Sequence, residues 1–279
     1  MLKGDSHIDT AAPEHKEGPS EAHQRLSSRR TFLSGSAKLL GGGALALGLG
    51  AAPAFAKGND DDDDEDNNKQ GGKRNNGGVS DVDILNYALV LERLEYEFYR
   101  RHLKRFSEQQ IEGASIFDGF GNKVRSNIYE NLVRIRNHEK THVQTLIKVI
   151  KSLGGKPVGD SEYDFGVKSV ADFVATAQVL EDTGVMAYDG AIAYIHRPGL
   201  QTAGATIATV EARHASYLNL INGDEPFPKP FDKPVAPRKL CEAVQAENGG
   251  FIVRSPKPYG PYKSLDALCA RLPNTVIAP

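Results

Sequence analysis

Two copies of the spacing Glu-x-x-His give this chain a set of residues that could bind metal ions. Glu139 and His142 form the first copy, and Glu211 and His214 form the second. Residues three positions apart lie on one face of a helix, and carboxylate and imidazole groups are common ligands of iron, manganese and zinc. A single copy arises often by chance and usually marks a solvated surface, whereas two copies favour a shared site.

Both copies lie within an apolar helical register. Around the first copy, apolar residues recur in alternating steps of four and three, and these steps land on Glu139 and His142. The apolar positions are Ile128, Leu132, Ile135, Leu146 and Val149. The second copy continues a similar register that includes Ile207 and Leu218. Because burying an unpaired charge is costly, all four side chains are expected to have a partner or a metal ion.

An internal repeat adds two glutamates and two tyrosines. The sequence Val-Leu-Glu ends at Glu92 and again at Glu181, and a tyrosine follows each glutamate seven residues later, at Tyr99 and Tyr188. Each half of the repeat then supplies one Glu-x-x-His, so the chain contains two similar helical hairpins. Glu92 and Glu181 are predicted as further metal ligands. Tyr99 and Tyr188 are candidate redox-active residues, although tyrosines in a core need no catalytic role.

The apolar registers predict four amphipathic helices, over residues 81–105, 127–153, 169–197 and 200–221. Helices of this length with narrow apolar stripes are typical of a four-helix bundle. At roughly 3.3 Å per residue, the connection 154–168 can cross the length of such a bundle, so the second and third helices can run parallel. The glutamates lie near the middle of their helices and would meet at one height. We therefore predict an all-α fold with one central site.

Four carboxylates at one height would repel each other unless cations lie between them. Two divalent cations bring four positive charges against four negative ones, and each cation can take one imidazole. These ligands suit iron, manganese or zinc, and the lack of thiolates in the set argues against a zinc-finger-like site. We expect two iron or two manganese ions, with the ligands Glu92, Glu139, His142, Glu181, Glu211 and His214. A bundle without metal would leave the four carboxylates unexplained.

Three neighbouring residues are not included among the predicted ligands. Glu95 lies one turn from Glu92 but off the strict register, which favours a supporting or a solvated position over a ligand. His138 flanks the register and is expected to be exposed. Gly184, beside Glu181, leaves space for a substrate or water, or allows two helices to approach closely.

These motifs resemble those of the ferritin-like superfamily over residues 80–223. The segments at 85–89 (Leu-Asn-Tyr-Ala-Leu) and 180–184 (Leu-Glu-Asp-Thr-Gly), with Asn222-Gly223 and the Pro/Phe-rich stretch after it, are similar to exported ferritin-like proteins that include desiccation-related proteins. The resemblance is more specific for the fold and the site than for the reaction, because one fold hosts many functions.

The resemblance implies a di-metal site in which Glu92 and Glu181 each bind one ion while Glu139 and Glu211 bridge the two. It also implies redox chemistry on O₂ or H₂O₂, ferroxidase-like or catalase-like, in stress protection. The alternative is a non-enzymatic desiccation, stress or metal-sequestering protein with a structural metal site. The sequence leaves open the choice of metal, whether the protein is an enzyme, and whether it forms a homo-oligomer.

Residues 1–56 have the pattern of a twin-arginine export signal. The arginines at 29–30 precede a Gly-rich apolar run at 39–52 and a small-x-small cleavage site at 54–56. A membrane anchor is the alternative, but the run is short and rich in glycine for a span of about 20 residues. We expect the twin-arginine translocase to export the protein to the periplasm or the extracellular space.

Residues 57–79 form an acidic, Gly- and Asn-rich stretch that almost lacks apolar residues, and they are predicted to be a disordered linker. Removing residues 1–56 takes away six Lys/Arg and five Asp/Glu and leaves a net charge of about −3. A nearly neutral chain lacks the positive charge that binds phosphate backbones, which argues against nucleic acid as a partner.

The segment 224–279 opens with a series of prolines, which forbid continuation of the fourth helix. We predict an irregular arm packed on the bundle, with short helices near 238–246 and 264–272. Cys241 and Cys269 are the only two cysteines. In an exported protein a disulfide between them is the favoured prediction, and two free buried thiols are the alternative.

Overall fold

The computed structural model describes residues 78–277, and most of the described chain is helical. The helices are α1 (Asp81–Arg105), α2 (Glu108–Glu112), α3 (Asn122–Arg125), α4 (Ile128–Ser152), α5 (Val170–Ala191), α6 (Pro198–Ile221), α7 (Pro237–Ala243) and α8 (Leu265–Cys269). Short 3₁₀ turns lie at Ser115–Phe117, Ile192–Tyr194 and Ala246–Asn248. Strands β1 (Glu162–Tyr163) and β2 (Ile252–Arg254) pair antiparallel. The all-α prediction is confirmed, with the long helices α1, α4, α5 and α6 as the bundle.

Local sequence signals fix the starts of α1 and α5. Before α1, the Ser80 hydroxyl accepts a hydrogen bond from the backbone N–H of Asp83, whose carboxylate accepts one from the N–H of Ser80. Ser169 and Asp172 repeat this arrangement before α5. Each capping box satisfies backbone donors that a helix start would otherwise leave unpaired. Helix α6 ends just before Gly223, whose positive φ of 84° suits a glycine.

The path of the long connection between α4 and α5 determines the relative direction of these two helices. That connection runs beside α1, because the guanidinium groups of Arg101 and Arg105 donate to the carbonyls of Tyr163 and Val167 at 2.9 and 2.6 Å. Its first part lies near the start of α1, where the backbone N–H of Val158 donates to the side chain of Asn86 at 2.8 Å. The connection therefore crosses the length of the bundle, and α4 and α5 run parallel as predicted. Helix α1 packs against α4 and α5, and α5 packs against α6, whereas α4 and α6 pack less closely than any of these three pairs.

The segment after α6 returns to the bundle and shares its core. Arg271 forms two hydrogen bonds with the buried carboxylate of Asp83 at the start of α1, at 2.9 and 2.8 Å. Tyr262 donates a third to the same carboxylate at 2.8 Å. Although burial opposes ionisation, these donors together with Ser80 lower the pKa of Asp83 to about 2. The pairing of β2 with β1 further fixes this arm to the connection before α5.

A disulfide joins Cys241 in α7 to Cys269 in α8, with 5.4 Å between the Cα atoms. The bridge closes a loop with a sequence separation of 28 residues. For a loop of this length the chain-entropy model gives about 3–4 kcal/mol of stabilisation. We expect the Cys241→Ser, Cys269→Ser double variant to lose about that much free energy of unfolding in denaturant titrations. A loss below about 1 kcal/mol would contradict this entropic account of the bridge.

The described helices include none that is both long and apolar enough to cross a membrane. The predicted signal segment 1–56 lies outside the described residues, as does nearly all of the predicted linker 57–79. Export and the site of cleavage remain predictions.

Candidate metal centre

The six predicted ligands come together in the middle of the bundle. Glu92 lies on α1, Glu139 and His142 on α4, Glu181 on α5, and Glu211 and His214 on α6. Each helix turns these side chains inward because they continue its apolar register. The four glutamates are at most 1% exposed, and the histidines are 9% and 5% exposed. Sequence spacing therefore located the cluster correctly, while its role as a metal site stays a prediction.

One half of the cluster surrounds the ring of His142. Its Nδ1 atom lies 3.1 Å from Oε2 of Glu92, 3.1 Å from Oε2 of Glu139 and 3.2 Å from Oε1 of Glu211. A single ring N–H cannot direct itself at three oxygens in well-aligned hydrogen bonds. These four residues each offer one ligand atom, and the four atoms lie within 4.8 Å of one another. This is the spacing of groups that could share one cation.

The other half of the cluster surrounds His214. Its Nδ1 atom lies 3.1 Å from Oε1 of Glu139 and 3.1 Å from Oε2 of Glu181. Together with Glu211, these residues form a second group whose ligand atoms also lie within 4.8 Å of one another. Glu139 and Glu211 belong to both groups, which is the placement expected of bridging carboxylates. Glu92 and Glu181 each belong to one.

Buried oxygens of the two glutamates shared by both groups lack the hydrogen bonds that buried polar atoms normally have. Among the described residues, Oε1 of Glu139 and both carboxylate oxygens of Glu211 have no hydrogen-bond partner. The close approach of the histidine nitrogens to these oxygens brings charges together without adding a well-aligned hydrogen bond. Native proteins rarely leave such atoms unsatisfied. Metal ions would satisfy them, and hard carboxylates with imidazoles suit iron or manganese.

The electrostatics of the cluster show an excess of negative charge in a dry place. Burial raises the pKa of Glu211 well above its usual range, and the charges of Glu139 and Glu181 raise it further. Burial and Glu181 raise the pKa of Glu139 to about 7. Burial opposes protonation of His142 and His214, yet the surrounding carboxylates raise both pKa values far above normal. Without metal the cluster therefore takes up protons, and bound cations would replace them.

Each tyrosine of the repeat holds the single glutamate of the other half. Tyr99 on α1 donates to Oε1 of Glu181 on α5 at 2.7 Å, and Tyr188 on α5 donates to Oε1 of Glu92 on α1 at 2.5 Å. Burial and the neighbouring carboxylates raise the pKa of both phenols well above normal. They stay protonated and remain donors. The arrangement fixes one oxygen of each carboxylate and leaves the other facing the cluster.

A fifth carboxylate, Glu95, lies beside the cluster and is 3% exposed. The sequence favoured either a supporting or a solvated position for Glu95, and its burial excludes the solvated one. It also lies outside both groups of candidate ligands. The Cβ of an alanine at Gly184 would lie 2.9 Å from Oε2 of Glu211 and 3.1 Å from Oε1 of Glu95. The space beside Gly184 is therefore filled by these carboxylates. Glu95 lies three positions after Glu92, which places both on one face of α1. This spacing could have predicted that Glu95 points inward.

His138 is exposed, as the sequence predicted, but it also reaches the cluster. Its Nδ1 atom lies 2.9 Å from Nε2 of His214, on the side of the ring that faces away from the glutamates. Histidines that bind metals commonly use their second nitrogen in a hydrogen bond that fixes ring orientation. The sequence contained no signal for this contact, because it joins residues on two different helices.

Gly184 provides a test of how tightly the cluster is packed. In Gly184→Ala, the added methyl would push the Glu211 carboxylate out of place, and we expect metal affinity to fall by about tenfold or more. Gly204→Ala is the matched control, because a Cβ at Gly204 on α6 would meet no heavy atom of the described residues within 4 Å. Equal metal affinities of the two variants, measured by competition with a chelator, would show that the carboxylates can move aside freely.

Comparison with known families agrees with this geometry. The family model described as a ferritin-like domain matches residues 80–224, which include the four long helices and all six residues of the cluster. No curated protein matches the chain. The matched region covers more than half of the 279 residues. On the evidence of its bundle, its central carboxylate–histidine cluster and this match, the chain belongs to the ferritin-like domain family.

Proposed function

We propose that this chain is an exported ferritin-like protein that binds two iron or two manganese ions and performs redox chemistry on O₂ or peroxide in stress protection. The observation that carries the proposal is the pair of overlapping ligand groups, which share Glu139 and Glu211 and are buried at the centre of the bundle. A buried site with four carboxylates and two imidazoles has the charge and the donor atoms for two divalent ions.

The reaction class follows from what such a site supplies. A pair of iron or manganese ions, when bound, can exchange electrons with O₂ or H₂O₂. The chain's own residues hold the ligands in place: Tyr99 and Tyr188 orient Glu181 and Glu92, and the surrounding bundle excludes bulk water. A ferroxidase-like reaction takes one electron from each of two Fe(II) ions, so that O₂ with two protons gives H₂O₂. A catalase-like reaction converts two H₂O₂ into O₂ and two H₂O.

Turnover by metal-loaded protein tests this proposal. We expect the loaded protein to consume H₂O₂, or to oxidise added Fe(II) in air, over many turnovers. Glu92→Ala and Glu181→Ala should each abolish the activity. Each glutamate belongs to a different ligand group, so each is expected to hold one of the two ions. Glu130→Ala is the matched control, since Glu130 is an exposed glutamate of α4 paired with Arg134. It should keep full activity.

The non-enzymatic alternative predicts a different pattern in the same experiment. A desiccation, stress or metal-sequestering protein would bind stoichiometric metal and gain thermal stability from it, with no turnover. Full loading with either iron or manganese, without activity towards O₂ or H₂O₂, would contradict the enzymatic proposal.

A further inference from the structure

An apolar cavity of about 50 Å³ lies at one end of the bundle, next to the carboxylate–histidine cluster. Among its seventeen lining residues only Tyr87, Thr145 and Tyr188 carry polar side-chain atoms. All four long helices contribute to the wall. The hydroxyl of Tyr188, which donates to Glu92, joins this wall to the cluster. None of the functions considered so far assigns a role to the cavity.

The cavity begins one helical turn from the cluster on α1, α4 and α6. Its lining residues Ala88, Leu146 and Ile207 are each four positions from a cluster residue on the same helix. On α5 the lining begins at Ala187, six positions after Glu181. One turn of helix spans about 5.4 Å. The cavity therefore lies directly next to the cluster along the helices.

The mouth of the cavity lies between α4 and α6. The lining residues of α1 are buried, whereas Thr145 and Val149 of α4, and Leu200, Ala203 and Gly204 of α6, are partly exposed. These two neighbouring helices also pack less closely than α1 with α4, α5 with α6, or α1 with α5. A small molecule could enter between them and reach the wall formed by Tyr188.

We propose that this cavity admits dioxygen to the cluster, so that O₂ rather than H₂O₂ is the oxidant for which the site is built. This inference rests on the proposed redox function and narrows its substrate. The size decides against larger ligands: about 50 Å³ exceeds the roughly 10–15 Å³ that a water-sized molecule requires, but is well below the roughly 150 Å³ of a cavity that holds benzene.

The apolar lining of the cavity favours O₂ over H₂O₂ as its occupant. H₂O₂ has two hydroxyl groups that would lose hydrogen bonds to water on entering an apolar cavity, and such losses are unfavourable. O₂ is apolar and loses no such bonds. Cavities lined by aliphatic side chains stay dry and take up apolar gases such as xenon. The cavity should therefore concentrate O₂ and retard H₂O₂.

Gly204 allows the cavity to be filled without disturbing the cluster. Within residues 78–277, a Cβ at this position would meet no heavy atom within 4 Å, and Gly204 lines the cavity. Gly204→Leu should place its side chain at the mouth. Gly204→Ala controls for the change in helix propensity, and Gly199→Leu introduces the same side chain at a position on α6 that does not line the cavity and is equally open.

Two measurements on the metal-loaded full chain test the proposal. Crystals pressurised with xenon should show xenon in the cavity for the wild type and Gly204→Ala, but not for Gly204→Leu. In stopped-flow experiments with the Fe(II)-loaded protein, Gly204→Leu should lower the second-order rate constant for O₂ by roughly tenfold relative to Gly204→Ala and Gly199→Leu. Its rate with H₂O₂ and its metal content should not change.

The outcomes separate this inference from the function on which it rests. A wild-type cavity without xenon, or equal O₂ rates for Gly204→Leu and Gly204→Ala, would overturn the inference even in an active protein. Equal slowing of the H₂O₂ reaction would overturn the preference for O₂. Xenon in the cavity of a protein that reacts with neither oxidant would support the gas site and refute the proposed redox function.

Discussion

Glu139→Ala and Glu211→Ala are each expected to lower the metal content of the protein well below two ions per chain. Both glutamates belong to both ligand groups, so losing either one weakens the two positions together. The loss of affinity should exceed the roughly 10–100-fold that follows removal of a residue which only supports a ligand. The variants should still fold, because removing one buried carboxylate relieves repulsion in the metal-free cluster.

Glu95→Ala is the matched comparison for these variants. Glu95 is also a buried glutamate beside the cluster, but it lies outside both ligand groups. It should keep most of the metal, as measured by elemental analysis after gel filtration. Equal metal loss in Glu95→Ala and Glu139→Ala would mean that the six residues are not a distinct ligand set.

Removing metal from the wild-type protein should lower its melting temperature by roughly 8–16 °C. A ligand present at 1,000 times its dissociation constant stabilises the folded state by about 4 kcal/mol, and each kcal/mol shifts the midpoint by about 2–4 °C in a protein of this size. Calorimetry of chelator-treated and metal-reconstituted protein measures the difference. A midpoint that does not depend on metal would contradict binding to the folded state.

The metal-free protein should also respond to pH in a characteristic direction. Burial and Glu181 raise the pKa of Glu139 to about 7 in the folded state, whereas an unfolded glutamate titrates near 4.3. Protonation therefore favours the folded state, and the stability of the metal-free protein should rise as pH falls from about 7 towards 5. The metal-loaded protein should not gain stability over this range, because protons compete with bound metal.

The sequence located the six residues of the cluster because a polar residue within an apolar helical register can only point inward. Periodicity alone was therefore enough to place Glu92 and Glu211 in the core. The long connection at 154–168 likewise predicted the parallel arrangement of α4 and α5, because its length permits it to cross the bundle. These features depend on periodicity along single segments, which one sequence contains.

Features that depend on the distance between helices could not be predicted in this way. Glu95 is buried because α5 has a glycine opposite it, at Gly184. His138 on α4 lies within hydrogen-bond distance of His214 on α6. The apolar cavity exists because the same two helices pack less closely than the other neighbouring pairs. No register along a single helix records these separations.

Metal analysis of the protein purified from its native compartment tests the central claim most directly. If the overlapping groups of Glu92, Glu139, His142, Glu181, Glu211 and His214 form one centre, the folded chain should contain two iron or two manganese ions. Metal-free protein should take up two equivalents in an anaerobic titration. A folded native protein that contains no iron or manganese, and that takes up neither ion in the titration, would contradict the account.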